Sequence, residues 1–282
     1  MAPDFTGGID LSEPSELWHY TTFDSLTAIL QSQSLLATDF RALNDTQEFK
    51  YGINVLKEIF AREGFAPSDH FEKVEDVLSD LETRCNGQII SLSEARDSLS
   101  MWRGYGGAVG GNQAVAIVFN VEDLKTLAQE HLENKLSHFS DPQRVRYDAS
   151  FLPQLNGTDV RTKLAEGGHM SVVCQVDDWI KLSKNDAFRE EKEYRLLCRG
   201  GIVSIDRFRQ SYQVVNGEFR KIFRLSFDDE KIFMKLKKPL AIKELWAGPK
   251  MNFDKLERYA ENYFFQFGCG RPDIKQSRIP FI

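Results

Sequence analysis

Leu17-Trp18-His19-Tyr20-Thr21 decides how the chain is read. The run is rich in aromatic and other strand-forming residues. Directly after it Phe23, Leu26, Ile29 and Leu30 recur at three- and four-residue spacing, the apolar stripe of a short helix. The folded part therefore opens as a strand that hands over to a helix. Upstream, residues 1–16 contain Pro, Gly and acidic residues without periodicity and are expected to form a loose leader.

Downstream, Leu35 to Phe40 reads as a second strand. Asn44-Asp45-Thr46-Gln47-Glu48 reads as a capping box opening a helix to about Arg62, and Ser68 to Arg84 as a further helix. Gln88 to Ser93 and Ala114 to Phe119 are strand-like. Between them lies a stretch with Trp102, Tyr105 and five glycines from Gly104 to Gly111, expected to be a flexible loop that approaches a ligand closely. A helix from Val121 to about Lys135, a strand near Arg144 to Tyr147 and a helix through Trp179 follow. The end of Phe188 to Leu197 reads as a strand. Asn216-Gly217 marks a hairpin, Leu240 to Trp246 a strand, Phe253 to Phe267 an amphipathic helix and Ile274 to Phe281 a closing strand. Residues 17–282 are thus expected to form one α+β domain around a split, mixed and antiparallel sheet, with N-terminal and inserted helices.

Composition narrows the function classes. The 282 residues are 41% hydrophobic and 28% charged, the make-up of a soluble globular chain. No apolar run is long enough to cross a bilayer, so a cytoplasmic protein without a membrane partner is expected. Cys85, Cys174, Cys198 and Cys269 lie far apart without zinc-ligand spacing, and no metal is expected. The net charge of −6 argues weakly against broad nucleic-acid binding but leaves room for a local basic groove. P-loop, Rossmann and nucleophile-elbow signatures are missing.

Several separated signatures carry a family resemblance. They are Trp18-His19-Tyr20-Thr21-Thr22, Leu43-Asn44-Asp45 with Glu48, and Ser98-Leu99-Ser100-Met101-Trp102 with Tyr105. Glu191-Lys192-Glu193-Tyr194-Arg195-Leu196, Ala247-Gly248-Pro249-Lys250-Met251 and Lys275-Gln276-Ser277-Arg278-Ile279-Pro280 complete the order. In this order the chain resembles the DUF2971 family, bacterial and phage-associated proteins with an ADP-ribosyltransferase-like fold. The resemblance implies that NAD, as a substrate, is held in the cleft of a split sheet. It also implies a macromolecular acceptor, protein or nucleic acid, a toxin or antiphage role, and control by an antitoxin or inhibitor protein.

Carried onto these residues, the resemblance makes His19 the first-strand histidine that bonds the adenosine-side ribose, with Tyr20 and Thr21 beside the cofactor. Trp102 and Tyr105 become the aromatic wall for nicotinamide, Tyr105 the preferred stacker. Ser91 and Ser93 would touch nicotinamide or support a glutamate. Glu193 becomes the carboxylate that faces oxocarbenium-like charge on the ribose, and Glu191 the residue that orients or deprotonates the acceptor. On a strand the two carboxylates would share a face. Read without the family, His19 satisfies a buried hydrogen bond before it binds a ligand, Trp102 fills a core as readily as it lines a site, and the run Arg189 to Arg195 is a solvated mixed-charge face. Water in place of an acceptor gives an NAD glycohydrolase, and loss of chemistry gives a nucleotide- or protein-binding module.

Overall fold

The computed structural model describes residues 13–40, 50–54, 57–58, 87–106, 113–133, 139–147, 177–198, 211–215, 218–227, 241–266 and 270–280. The opening strand is β1 (Glu16–Thr22), and α1 (Phe23–Ser32) follows without a break. The Thr22 hydroxyl caps α1 by accepting from Ser25 N–H, and Gln33 ends it in the left-handed conformation at φ 45°. The helix buries Phe23, Leu26, Ile29 and Leu30, the stripe expected from sequence. The chain then runs through β2 (Ser34–Asp39), β3 (Gln88–Ser93), α2 (Leu99–Gly106), β4 (Ala114–Asn120) and α3 (Val121–Glu133). β5 (Gln143–Arg144), a 3₁₀ helix (Asp186–Glu191), β6 (Glu193–Cys198), β7 (Ser211–Val215) and β8 (Glu218–Ser226) come next. β9 (Ile242–Ala247), α4 (Phe253–Gln266) and β10 (Asp273–Gln276) complete the described chain.

These strands make a mixed sheet, so the architecture is α+β. β1 pairs with β4 along its whole length, β4 pairs with β9, and β9 takes β10 in parallel. β3 pairs antiparallel with β6, placing Ser93 opposite Glu193 and Ser91 opposite Arg195. The other edge of β3 is shared. It meets β1 only at Trp18↔Ser93 and β2 only at Thr38↔Ile89 and Asp39↔Gln88. The sheet therefore parts between β1 and β2, and His19 sits at the parting. Its Nδ1–H donates to the Ser91 carbonyl at 3.0 Å, supplying the bond that a neighbouring strand would have given.

Strand alternation sorts the side chains into two layers. On one face Leu17, Leu92, Ile117, Tyr194 and Leu196 join α1, α3 and α4 in the larger core. On the other, Trp18, Tyr20, Met101, Trp102, Ala116 and Trp246 form a compact aromatic cluster beneath α2. The face that carries Ser93 and Glu193 is this second one.

Four expectations change. Residues 99–106 form a helix where glycine content suggested a loop, because Trp102 and Met101 bury against β1 and β4 and Trp102 N–H reaches back to Ser98 O. Glu191 does not lie on a strand. It ends the 3₁₀ helix, and Lys192 at φ 42° turns the chain before β6 begins. The closing strand stops at Gln276, because Ser277 turns its hydroxyl to Asp97. Residues 13–16 are tied down, with Glu16 in β1 and Ser15 O accepting from Val121 N–H. β7 and β8 pair with Val215 opposite Glu218, the register of a two-residue connection, although Asn216 and Gly217 lie outside the described residues. Also outside them are the Asn44–Glu48 box, the helix of 68–84, Cys85, Cys174 and Cys269. Cys198 is buried and not disulfide-bonded.

Candidate functional site

Glu193, at the start of β6, is buried, and so is Arg195 on the same strand face. The guanidinium grips the carboxylate with two bonds, Nε to Oε1 at 2.7 Å and Nη2 to Oε2 at 2.8 Å. Arg195 is itself fixed. Its Nη1 donates to the Lys181 carbonyl at 2.6 Å and its plane lies over the Phe40 ring. The solvated-face reading of this charge run therefore fails for Glu193 and Arg195, which belong to a buried, fully partnered network.

Lys184 completes that network. Its Nζ donates to Glu193 Oε2 at 3.1 Å and to Glu191 Oε2 at 2.8 Å, with the Phe188 ring 4.9 Å away. Thus the two glutamates converge although only one is on a strand. Burial alone would raise the Glu193 pKa, but Arg195, Lys184 and a hydrogen bond from the Ser91 side chain outweigh it and hold it at about 2. The carboxylate is ionised throughout the physiological range.

The backbone around the pair is pinned as tightly. Glu193 N–H donates to the Tyr147 hydroxyl at 2.7 Å, and Val145 N–H donates to Glu193 O. The Ser93 hydroxyl donates to Glu191 O at 2.6 Å and accepts from Ala95 N–H at 2.9 Å. Ser93 is fully buried, so it supports the glutamates and does not present itself to a ligand. Ser91 joins the two halves of the site: its carbonyl takes His19 and its side chain takes Glu193.

His19 is partly exposed, and desolvation lowers its pKa, so the neutral ring predominates at pH 7. With Nδ1–H committed to Ser91, the remaining lone pair is on Nε2, which has no partner among the described residues and can accept from a hydroxyl. Both sequence readings of His19 are compatible, one for each nitrogen. Thr21 is buried opposite Val115 on the same side of β1 as His19.

The three aromatic residues differ. Tyr20 is buried, and its hydroxyl donates to Ala95 O at 2.6 Å and accepts from Ser98 N–H at 3.2 Å. It anchors the turn before α2 and is not available to a cofactor. Trp102 is also buried, edge-on to Tyr20, with its indole N–H on Asp97 Oδ1 at 2.7 Å. It fills the core and forms no wall. Tyr105, in the last turn of α2 and two-fifths exposed, stacks over Tyr20 with centroids 6.4 Å apart. Desolvation first, then the nearby Glu193 and Glu191 charges, push its phenol up to about 12. α2 packs against the 3₁₀ helix, which places this ring beside the glutamate pair.

Asp97 explains two of the sequence signatures. Held at φ 45°, it accepts from Trp102 Nε1 and from the Ser277 hydroxyl at 2.6 Å, clamping α2 to the segment after β10. Sequence reasoning missed Lys184 and Tyr147. Lys184 stands seven and nine residues from the glutamates it bridges, a spacing with no helix or strand period, so only the fold reveals it. Among the described residues no three His, Cys, Asp or Glu side chains group as metal ligands, and no helix is long and apolar enough to cross a membrane.

No curated protein matches the chain by sequence. Similar solved structures include DarT of Thermus sp. 2.9 in complex with NAD+, at 13% identity and a TM-score of 0.35, covering 94% of this chain and 96% of that one. The same protein in complex with ADP-ribosylated ssDNA is similar at 14% identity and a TM-score of 0.34, covering 94% and 95%. The family model of DUF2971, a protein of unknown function, matches residues 101–196, so the chain carries the DUF2971 pattern across the segment that holds Trp102, Tyr105, Lys184, Glu191 and Glu193.

Proposed function

We propose that the protein cleaves the nicotinamide–ribose bond of NAD and moves the ADP-ribose to a macromolecular acceptor. One observation carries this reading: two convergent carboxylates, one locked in its ionised form, lie beside the exposed ring of Tyr105 and across Ser91 from the acceptor nitrogen of His19. Breaking the C1′–N bond sends the electron pair out with neutral nicotinamide and leaves positive charge on the ribose. A fixed anion stabilises that charge without having to reorganise. Glu193 supplies the anion. Glu191, about a quarter exposed, is the better placed to take the proton from an acceptor nucleophile as it attacks C1′. His19 Nε2 accepts a ribose hydroxyl, and Tyr105 covers the nicotinamide face. The motif order shared with DUF2971 supports the same assignment, and a toxin or defence role in the cytoplasm follows from that resemblance.

The test is incubation of wild type and Glu193→Gln with labelled NAD and total cell protein, RNA and single-stranded DNA. Wild-type nicotinamide release with label on a macromolecule, both abolished by the substitution, is the expected result. Release without macromolecular label would make the protein a glycohydrolase. Absence of release from folded wild type would refute the enzymatic reading.

A further inference from the structure

The carboxylate of Glu193 offers about four lone-pair positions. Two are taken by Arg195, one by Lys184 and one by the Ser91 side chain. A ribose hydroxyl has no place on this carboxylate unless a donor leaves. Arg195 is a poor candidate. Its guanidinium is buried, binds both oxygens, and is held by the Lys181 carbonyl and the Phe40 ring. Ser91 is held by its strand and by His19. Lys184 differs, because it already has a second anionic partner: its bond to Glu191 is 2.8 Å and its bond to Glu193 is 3.1 Å.

We propose that Lys184 is a positioning residue that yields Glu193 Oε2 to an entering ribose hydroxyl and withdraws onto Glu191, keeping its proton throughout. The proposal rests on the NAD reading above. No covalent bond changes in this step. One N–H···O bond is exchanged for one O–H···O bond, and the lysine charge stays within the same cluster. Lys184 is anchored for such a role. Its backbone N–H donates to Arg146 O, and Asn185 next to it caps the 3₁₀ helix that carries Glu191. Among the described residues, the other titratable groups facing the ammonium include Arg195 on β6, Tyr147 beyond β5 and Tyr105 on α2, and both phenols are neutral at pH 7. Lys184 and Arg195 both hold negative charge at the glutamate pair.

Lys184→Met keeps the length of the stem and removes the charge, whereas Lys184→Arg keeps the charge. With Met, the acid limb of the pH profile of nicotinamide release should move up by about one unit or more. kcat/KM at pH 7.5 should fall at least tenfold, and Arg should restore the limb in part. A Met variant with a lower Tm but an unmoved limb and unchanged KM would reduce Lys184 to scaffolding and overturn the proposal. A second measurement needs no turnover: ¹⁵N NMR of the Lys184 ammonium in wild type, titrated with NAD. A resonance that shifts on saturation while remaining protonated is expected. NAD binding that leaves the resonance unmoved would sink the exchange. Wild type that binds NAD and shifts Lys184 without releasing nicotinamide would refute the transfer reading and keep the lysine exchange.

Discussion

Replacing Arg195 with Met gives the sharpest test of the network. The substitution fills much of the same volume but removes two bonds to Glu193 and the donor to the Lys181 carbonyl. Glu193 stays buried, with Lys184 as its remaining cation. Breaking a buried pair by removing one partner costs about 3–5 kcal/mol, against about 0–1 kcal/mol for a solvated pair. With a urea slope of about 3 kcal/mol/M, that cost moves the denaturation midpoint down by about 1–1.7 M. Matched urea titrations of wild type and variant at pH 7, followed by tryptophan fluorescence, would read it. The deficit should shrink as the medium is acidified, because a protonated Glu193 no longer needs the cation. Adding Glu193→Leu should restore most of the loss by removing the orphaned charge. A midpoint shift below about 0.3 M, equivalent to about 1 kcal/mol, would show that water reaches this pair and that the buried network is not what holds β6.

In wild type the folded-state pKa of Glu193 lies at about 2, below its ordinary 4.5. Its contribution of about 3 kcal/mol is therefore complete above pH 4.5 and lost as pH falls through 2, which acid titration of wild type against Glu193→Gln should show. Tyr105→Phe should keep most nicotinamide release, since the phenol is protonated at pH 7, whereas Tyr105→Ala should lower kcat/KM at least tenfold with little change in Tm. His19→Ala should weaken NAD binding about tenfold by calorimetry, a loss of about 1–1.5 kcal/mol, the worth of one hydrogen bond. Asp97→Ala strands the Trp102 indole N–H and the Ser277 hydroxyl, and should cost about 2–4 kcal/mol with a changed near-ultraviolet signal from Trp102.

The parts of the fold that sequence made legible are those where one period dominates. Phe23, Leu26, Ile29 and Leu30 bury because nothing competes with the helical stripe. α2 was hidden by Gly104 and the glycines beyond it, whose turn signal outweighed the anchoring of Met101 and Trp102. Glu191 and Glu193 do not approach each other by strand alternation. A strand would have put both carboxylates on one face by alternation, but Lys192 adopts a positive φ that no glycine or asparagine announces. Convergence comes instead from Lys184, which the chain delivers from the segment after helical residues 177–181. His19 and Ser91 are 72 residues apart, and the parting of β1 from β2 along the edge of β3, where the two meet, is a property of sheet topology.

Stability alone does not account for the charges at the head of β6. Three well-packed apolar side chains in place of Glu193, Arg195 and Lys184 would hold the strand about as firmly, because desolvation of the ions offsets most of their attraction. What apolar residues cannot supply is a carboxylate that is buried, immobile and still ionised at neutral pH. Arg195 and Lys184 produce that state by overcoming the rise in pKa that burial imposes. They divide the work by geometry, Arg195 as the two-bond clamp and Lys184 as the cation with a second partner in Glu191. Under the proposed function the arrangement separates scaffold from chemistry. The pair Glu193→Leu with Arg195→Met should fold nearly as well as wild type, and should release no nicotinamide, because the fixed negative charge beside Tyr105 is what it lacks.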